Sequence, residues 1–175
     1  MNKKVIVYGS GEFGFLISNI ISYMEKISIE AYGDDSFDKI GKSINRKPIL
    51  QINELIEFAN KNKINSAICA IGNNKVRAEK YNKLNEFGFE MISLEHPKSL
   101  IDTNVSYGKN VIIEMGTAIH AYSTIGNNVF LGGEALIGHH NKIGNHVLIG
   151  GNVSLGGSVV IEDYVSIGVG ASIKP

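Results

Sequence analysis

The sequence predicts a small α/β domain built on a parallel sheet, followed by a parallel β-helix. Three observations carry that prediction. Eleven branched aliphatic residues recur at a spacing of six: Ile113, Ile119, Ile125, Leu131, Ile137, Ile143, Ile149, Leu155, Ile161, Ile167 and Ile173. The residues before about 97 instead alternate short apolar runs with helix-spaced ones. A glycine-rich loop, Gly9-Ser-Gly-Glu-Phe-Gly14, joins the first apolar run to the first helical segment.

A period of six fits neither the 3.6 of a helix nor an uninterrupted period of two. It fits a short strand with two inward residues and a glycine-assisted turn, repeated. A small or β-branched residue stands two positions before each aliphatic, and Asn141 is the one exception. Three units make a triangular coil of 18 residues, so residues i and i+18 stack about 4.8 Å apart.

In the first half, Val5–Tyr8 reads as a strand, Phe13–Met24 as a helix and Ser28–Tyr32 as a second strand. Ile52–Lys61 follows as a helix and Ser66–Ile71 as a strand. Lys75–Phe87 is a helix with Val76, Tyr81 and Leu84 inward, and Glu90–Ser93 a last strand. Such alternation implies a parallel sheet covered by helices. Glu95-His-Pro97 interrupts it, which sets the expected domains at 1–97 and 98–175, with the hexapeptide repeat established from about Val111.

Charge narrows the function classes. Seventeen basic and seventeen acidic residues balance to zero, and no basic run points to nucleic acid or an anionic membrane surface. No stretch reaches the roughly 18 apolar residues that would span a bilayer. The single cysteine, Cys69, lies in an apolar run, as expected of a reduced, cytoplasmic protein.

The glycine loop has the setting of a phosphate-binding turn, after a strand and opening a helix. There the backbone can approach a diphosphate and the helix N-terminus supplies free N–H groups. Gly9, Ser10, Gly11 and Gly14 are the candidate binding residues, with Asp34 and Asp35 placed where an acid meets a ribose. The domain is half the length that a dinucleotide needs, so a nucleotide-linked substrate suits it better than NAD.

In the second half, the i+18 arithmetic sets His139 and His140 between Ala121-Tyr122 and Gly157-Ser158. Adjacent residues in a turn cannot both point inward, and an outward imidazole suits a general base at neutral pH. Gly157 would offer an accessible N–H as an oxyanion donor beside that base. Asn141 falls in an inward column and is expected to be structural.

On these motifs the chain resembles the bacterial hexapeptide acyltransferases that join a nucleotide-sugar-binding domain to a left-handed β-helix. That group includes UDP-4-amino-sugar and perosamine N-acetyltransferases and sialic-acid O-acetyltransferase relatives. The resemblance also rests on Gly33-Asp-Asp35, Ile71-Gly-Asn-Asn-Lys-Val-Arg77 and His96-Pro97. It implies a nucleoside-diphosphate sugar held by the loop, by Asp34 and Asp35, and by Gly72, Asn73 and Arg77. It implies His139 as the base that lets the acceptor attack acetyl-CoA directly, with Gly157 stabilising the oxyanion. His146 and Gly157 would contact acetyl-CoA, and no metal is expected. A homotrimer with sites at its seams is implied as well, in a pathway to a surface polysaccharide.

Two departures from the family stand out. His140 occupies the place of an acid, so either another acid such as Glu134 supports His139 or the acceptor differs; we expect His140 itself to contact the acceptor or relay its proton. The sequence ends at Lys174-Pro175, in mid-coil, where relatives continue. The alternatives are O-acetylation of a sialic-acid-like sugar, a non-catalytic sugar-nucleotide-binding scaffold, and a zinc-dependent γ-type carbonic anhydrase using His139, His140 and His146.

Overall fold

The computed structural model describes residues 2–175, and the chain divides into two compact units, Met1–Ile92 and Ser93–Pro175. The division falls before the expected 97, because Leu94–Glu95 already pairs in parallel with Ile112–Ile113 as part of the coil.

In the first unit, β1 (Lys3–Tyr8) leads into α1 (Glu12–Ser22) and β2 (Ile27–Gly33). Next come β3 (Ser43–Ile44), β4 (Lys47–Leu50), α2 (Ile52–Lys61), β5 (Ser66–Cys69), α3 (Asn74–Glu86) and β6 (Glu90–Met91). The sheet order is β3-β4-β2-β1-β5-β6, parallel throughout except where β3 meets β4. Alternation along β1 sends Ile6 and Tyr8 to one face, where they pack with Leu55 and Ala59 of α2 and with Tyr81 and Leu84 of α3. The buried Ile17, Ile20 and Ile21 belong to α1, which packs on β2. β3 and β4 were not anticipated. Their turn runs through Asn45 and Arg46, both at positive φ (49° and 66°), a two-residue hairpin turn made without the usual glycine. Val76, expected inward, is 41% exposed. The buried face of α3 runs through Arg77, Tyr81 and Leu84, and Val76 falls beside it.

The second unit is a left-handed parallel β-helix of two-residue strands set six residues apart, from Leu94–Glu95 to Ser172–Ile173. They form three parallel sheets in which each strand pairs with the one 18 residues on, as Phe130 with Ile112 and with Leu148. The aliphatic column from Ile113 to Ile167 and its partners Val111, Val129, Val147 and Val153 make one continuous core. The coil starts well before Val111. Its first turn was hidden because the six-residue series there reads Glu95, Ile101, Tyr107, with a charge at the first place.

Polar residues in the inward columns are satisfied by the backbone. The Thr117 and Ser123 hydroxyls donate to the carbonyls of Gly132 (3.0 Å) and Gly138 (2.8 Å). Asn141 is fully buried. Its Nδ2 donates to the Gly138 and Gly156 carbonyls, at 2.5 and 3.0 Å, and its Oδ1 accepts from Val159 N–H at 2.8 Å. No helix of the described residues is long and apolar enough to cross a membrane.

Candidate active site

Two groups of residues carry chemistry, one in each unit. In the first unit, a cleft of about 650 Å³ opens at the carboxyl ends of β1, β2 and β5, lined by Gly9, Gly11, Glu12, Asp34, Lys39 and Gly72 among others. This is where ligands sit on parallel sheets of this kind.

The tight turn at its floor requires glycine. Gly9 has φ +117°, and a Cβ there would lie 2.1 Å from the Ala70 carbonyl oxygen. A Cβ on Gly14 would stand 2.2 Å from the Gly9 oxygen, so Gly14 serves the close approach of helix to loop rather than the cleft itself. Gly11 caps α1 and lines the cleft.

Asp34 fastens this turn. Its Oδ2 accepts from the Ser10 N–H (3.0 Å) and hydroxyl (2.5 Å) and pairs with Lys39 Nζ (3.3 Å), while Oδ1 accepts from Ser36 N–H (3.0 Å). Burial would raise this carboxyl, but the Ser10 hydroxyl, the two amides and Lys39 outweigh it and hold it below the ordinary carboxylate range. Ser10 is itself buried and acts through Asp34. Asp35 accepts from the Tyr8 hydroxyl (2.5 Å) and pairs with Lys80 (2.8 Å). Against the opposing effect of burial, those contacts lower it too. Burial first, and the bond to Asp35 second, push the Tyr8 phenol up.

The remaining residues of the sequence reading make contacts within the chain. The Asn73 side chain caps α3, accepting from the N–H groups of Lys75 and Val76, both at 3.1 Å. Arg77 is buried at 3% exposure, and its Nη1 donates to the carbonyls of Ile71 (2.9 Å) and Gly72 (3.2 Å). Burial lowers its pKa to about 10. It therefore shapes the cleft wall from behind. Lys39, Lys80 and Tyr8 were missed by sequence. Tyr8, as the last residue of the strand leading into the glycine loop, was the one with a positional signal.

In the second unit, His139 and His140 are exposed in one turn of the coil. Their Nδ1 atoms lie 3.0 Å apart, so one ring donates and the other accepts. With the donor assigned to His139, its Nε2 keeps a free lone pair. The His140 ring packs at a tilt against Tyr122, with centroids 4.9 Å apart and planes 33° from parallel. Glu134 stands on a different corner, where its side chain covers Gly116. The partner of His139 within the chain is therefore His140, not Glu134.

Gly157 follows His139 by one coil, and a Cβ there would meet the His139 ring at 2.5 Å from Cε1 and 2.7 Å from Nε2. Among the described residues nothing accepts from the Gly157 N–H. The lattice-equivalent N–H of Ala121 is instead taken by Asp102 Oδ2 at 3.1 Å. His146 lies on another corner, in a ladder with Asn110 and Asn128: Asn128 Nδ2 meets its Nδ1 at 2.8 Å. Its ring stacks on Tyr164 at 4.8 Å. Within one chain the three histidines named for a zinc site therefore do not converge.

Sequence reading also missed His120, which contacts Asp102 on the same corner as His139.

A small α/β unit on a parallel sheet, followed in the chain by a left-handed β-helix, is also the fold of similar solved structures. Residues 4–84 match the PglD N-terminal domain family. The sequence has no match among curated proteins. PerB from Caulobacter crescentus, solved with CoA and GDP-perosamine, is 20% identical with a TM-score of 0.79 over 98% of this chain and 90% of that one. The acetyltransferase domain of PglB from Neisseria gonorrhoeae is 19% identical with a TM-score of 0.82, over 98% and 91%. WeeI from Acinetobacter baumannii AYE is 22% identical with a TM-score of 0.83, over 95% and 78%. Across both units the chain thus shares the fold of these proteins, which include the kind of enzyme its motifs indicated.

Proposed function

We propose that the protein transfers an acetyl group from acetyl-CoA to the amine of a sugar linked to a nucleoside diphosphate. The observation that carries this is the His139–Gly157 pairing, an exposed imidazole beside a backbone N–H with no partner among the described residues. Base and oxyanion donor are the two groups that direct acyl transfer needs. The structures of PerB in complex with CoA and GDP-perosamine, and of the PglB domain with acetyl-CoA, support the same reading.

In this reading His139 Nε2 takes a proton from the amine as its nitrogen attacks the thioester carbonyl. The Gly157 N–H stabilises the oxyanion. Collapse expels CoA thiolate, which takes the proton back from His139. Nδ1–H of His139 stays on His140 throughout and keeps the tautomer fixed. The cleft of the first unit holds the nucleotide, its diphosphate against the Gly9–Gly11 turn and α1, with Lys39 as the nearest cation. We take the assembly to be a homotrimer, which light scattering would test, and the setting to be cytoplasmic polysaccharide synthesis.

The test is release of CoA thiol from acetyl-CoA across a panel of UDP-, dTDP- and GDP-linked amino sugars, with product masses measured. Acetylation of a hydroxyl in a sialic-acid-like sugar would favour the runner-up. Tight nucleotide-sugar binding without thiol release would leave a scaffold.

A further inference from the structure

His120 and Asp102 form an imidazole–carboxylate pair that the transfer chemistry above leaves unused. His120 Nδ1 lies 3.1 Å from Asp102 Oδ2, and that oxygen also accepts from Ala121 N–H at 3.1 Å. An ionised carboxylate only accepts, so Nδ1 carries a proton, and in the neutral ring Nε2 then keeps a lone pair. Both side chains are open to solvent, at 46% and 40% exposure. The pair needs water or a ligand for its outer face.

Its place on the lattice matters. His120 stacks one coil before Gly138, next to the His139 turn, and Asp102 lies one coil before that. Gly157 stands one coil after His139, and the turn that carries His120 one coil before it, so the imidazole of His139 has the oxyanion donor on one side and this pair on the other. The titratable groups of this corner and its adjoining strands, besides His120, are Asp102, Tyr107, Tyr122, His139, His140, Lys142 and Lys174.

A sugar amine flanked by electron-withdrawing oxygens titrates near about 8, as an α-amino group does, so at neutral pH it arrives mostly as an ammonium. An ammonium has no lone pair and must lose one proton before it attacks and a second as it does so. His139 accounts for one of these.

We propose that His120, held by Asp102, contacts the acceptor and removes the first proton from its ammonium group. The proposal rests on the acyl-transfer reading. The proton on the ammonium passes to His120 Nε2, and the free amine forms. The N–C bond then forms as the carbonyl π pair moves to oxygen, and the second proton goes to His139. The C–S bond breaks, the thiolate takes the His139 proton, and His120 releases its own to solvent. The Asp102 carboxylate balances the charge on His120 while it holds that proton. His120 is thereby a catalytic residue and Asp102 a positioning one.

The experiment is the pH profile of kcat/KM, from 6.5 to 9.5, for the parent, His120→Asn and Asp102→Asn with an amino-sugar acceptor. Asn at 102 can still accept from Ala121 N–H, which keeps the turn intact. The expected result is a loss of about tenfold at pH 7 for His120→Asn, the factor by which ammonium outnumbers free amine there, and a smaller loss for Asp102→Asn. Both should shrink to within about threefold of the parent at pH 9.5, where the acceptor is already free amine. A loss of equal factor at every pH, or none at pH 7, overturns the proposal. A parent that acylates only hydroxyl acceptors overturns it while leaving acyl transfer standing. A parent that releases no thiol with any acceptor overturns both readings.

Discussion

The imidazole of His139 fills the space in which a side chain at Gly157 would stand, with a Cβ there only 2.5 Å from Cε1. The two residues are 18 apart in sequence and adjacent on the lattice. Gly157→Ala should therefore leave the coil folded, since its backbone is not in the left-handed region, but drive the exposed ring out of place. We expect a loss of about 10²-fold or more in turnover with a melting temperature within a few degrees of the parent, read by steady-state kinetics and calorimetry.

His139→Ala should cost about 10²–10⁴-fold in acyl transfer and leave nucleotide-sugar binding, measured by calorimetry, close to the parent value. Near-normal turnover in this variant would remove His139 from the mechanism.

At position 140 the structure separates two substitutions. His140→Ala takes away the group that accepts from His139 Nδ1–H, whereas His140→Glu offers another acceptor there. We expect the alanine variant to lose about tenfold or more in kcat and the glutamate variant to lose less. This replaces the sequence expectation of a His140 that serves the acceptor, because its Nδ1 faces His139 Nδ1 at 3.0 Å; the reverse order would restore that expectation.

The depressed carboxyls of Asp34 and Asp35 make an acid-side prediction. Burial works against the shift, but hydrogen bonds and lysine partners win, so both folded pKa values lie below the unfolded ones. Their stabilisation is present above about pH 4 and disappears as pH falls through the folded values. Thermal melts should show the first unit weakening below about pH 4, and Asp34→Asn should flatten that slope while loosening the glycine turn.

Glu114 has the opposite sign. Burial raises its carboxyl despite the bond it accepts from Gly133 N–H at 2.8 Å. Stability is then lost as pH rises from the unfolded pKa through the folded one. Glu114→Gln keeps an acceptor for Gly133 and carries no charge, so its melting temperature at pH 7 should match or exceed the parent's by up to about 3 °C.

Legibility in the sequence tracked repetition. The coil could be read because every turn restates the same chemistry, and i+18 arithmetic alone brought His139 to Gly157. The first coil escaped because Glu95 breaks the aliphatic series, and Asp102, which sits in that weakly patterned coil, escaped with it. The pairing of Asp102 with His120 was therefore invisible, although both follow an aliphatic of the same column. In the first unit the glycine loop was legible because strand, glycines and helix come in a fixed order. Arg77 and Asn73 were named only through the resemblance of their segment; the spacing of Arg77 to Tyr81 and Leu84 puts it on the buried face of α3, and an asparagine before a helix is placed to cap it. Lys39 lay in a stretch with no pattern and Lys80 on a helix whose spacing marks only its inner face, and only the folded chain brings them to the two aspartates.

The four contacts on Asp34 also bear on how quickly and at what entropic cost a ligand docks. A loop of glycines is ordinarily a floppy partner, and freezing it on binding would tax affinity. Here Ser10, Ser36 and Lys39 hold the turn to Asp34 before any ligand arrives, so the ordering has been accomplished in folding. Nucleotide association should then proceed in a single kinetic phase, with no slow step of loop rearrangement behind it, and only the Lys39 head group left to change partners.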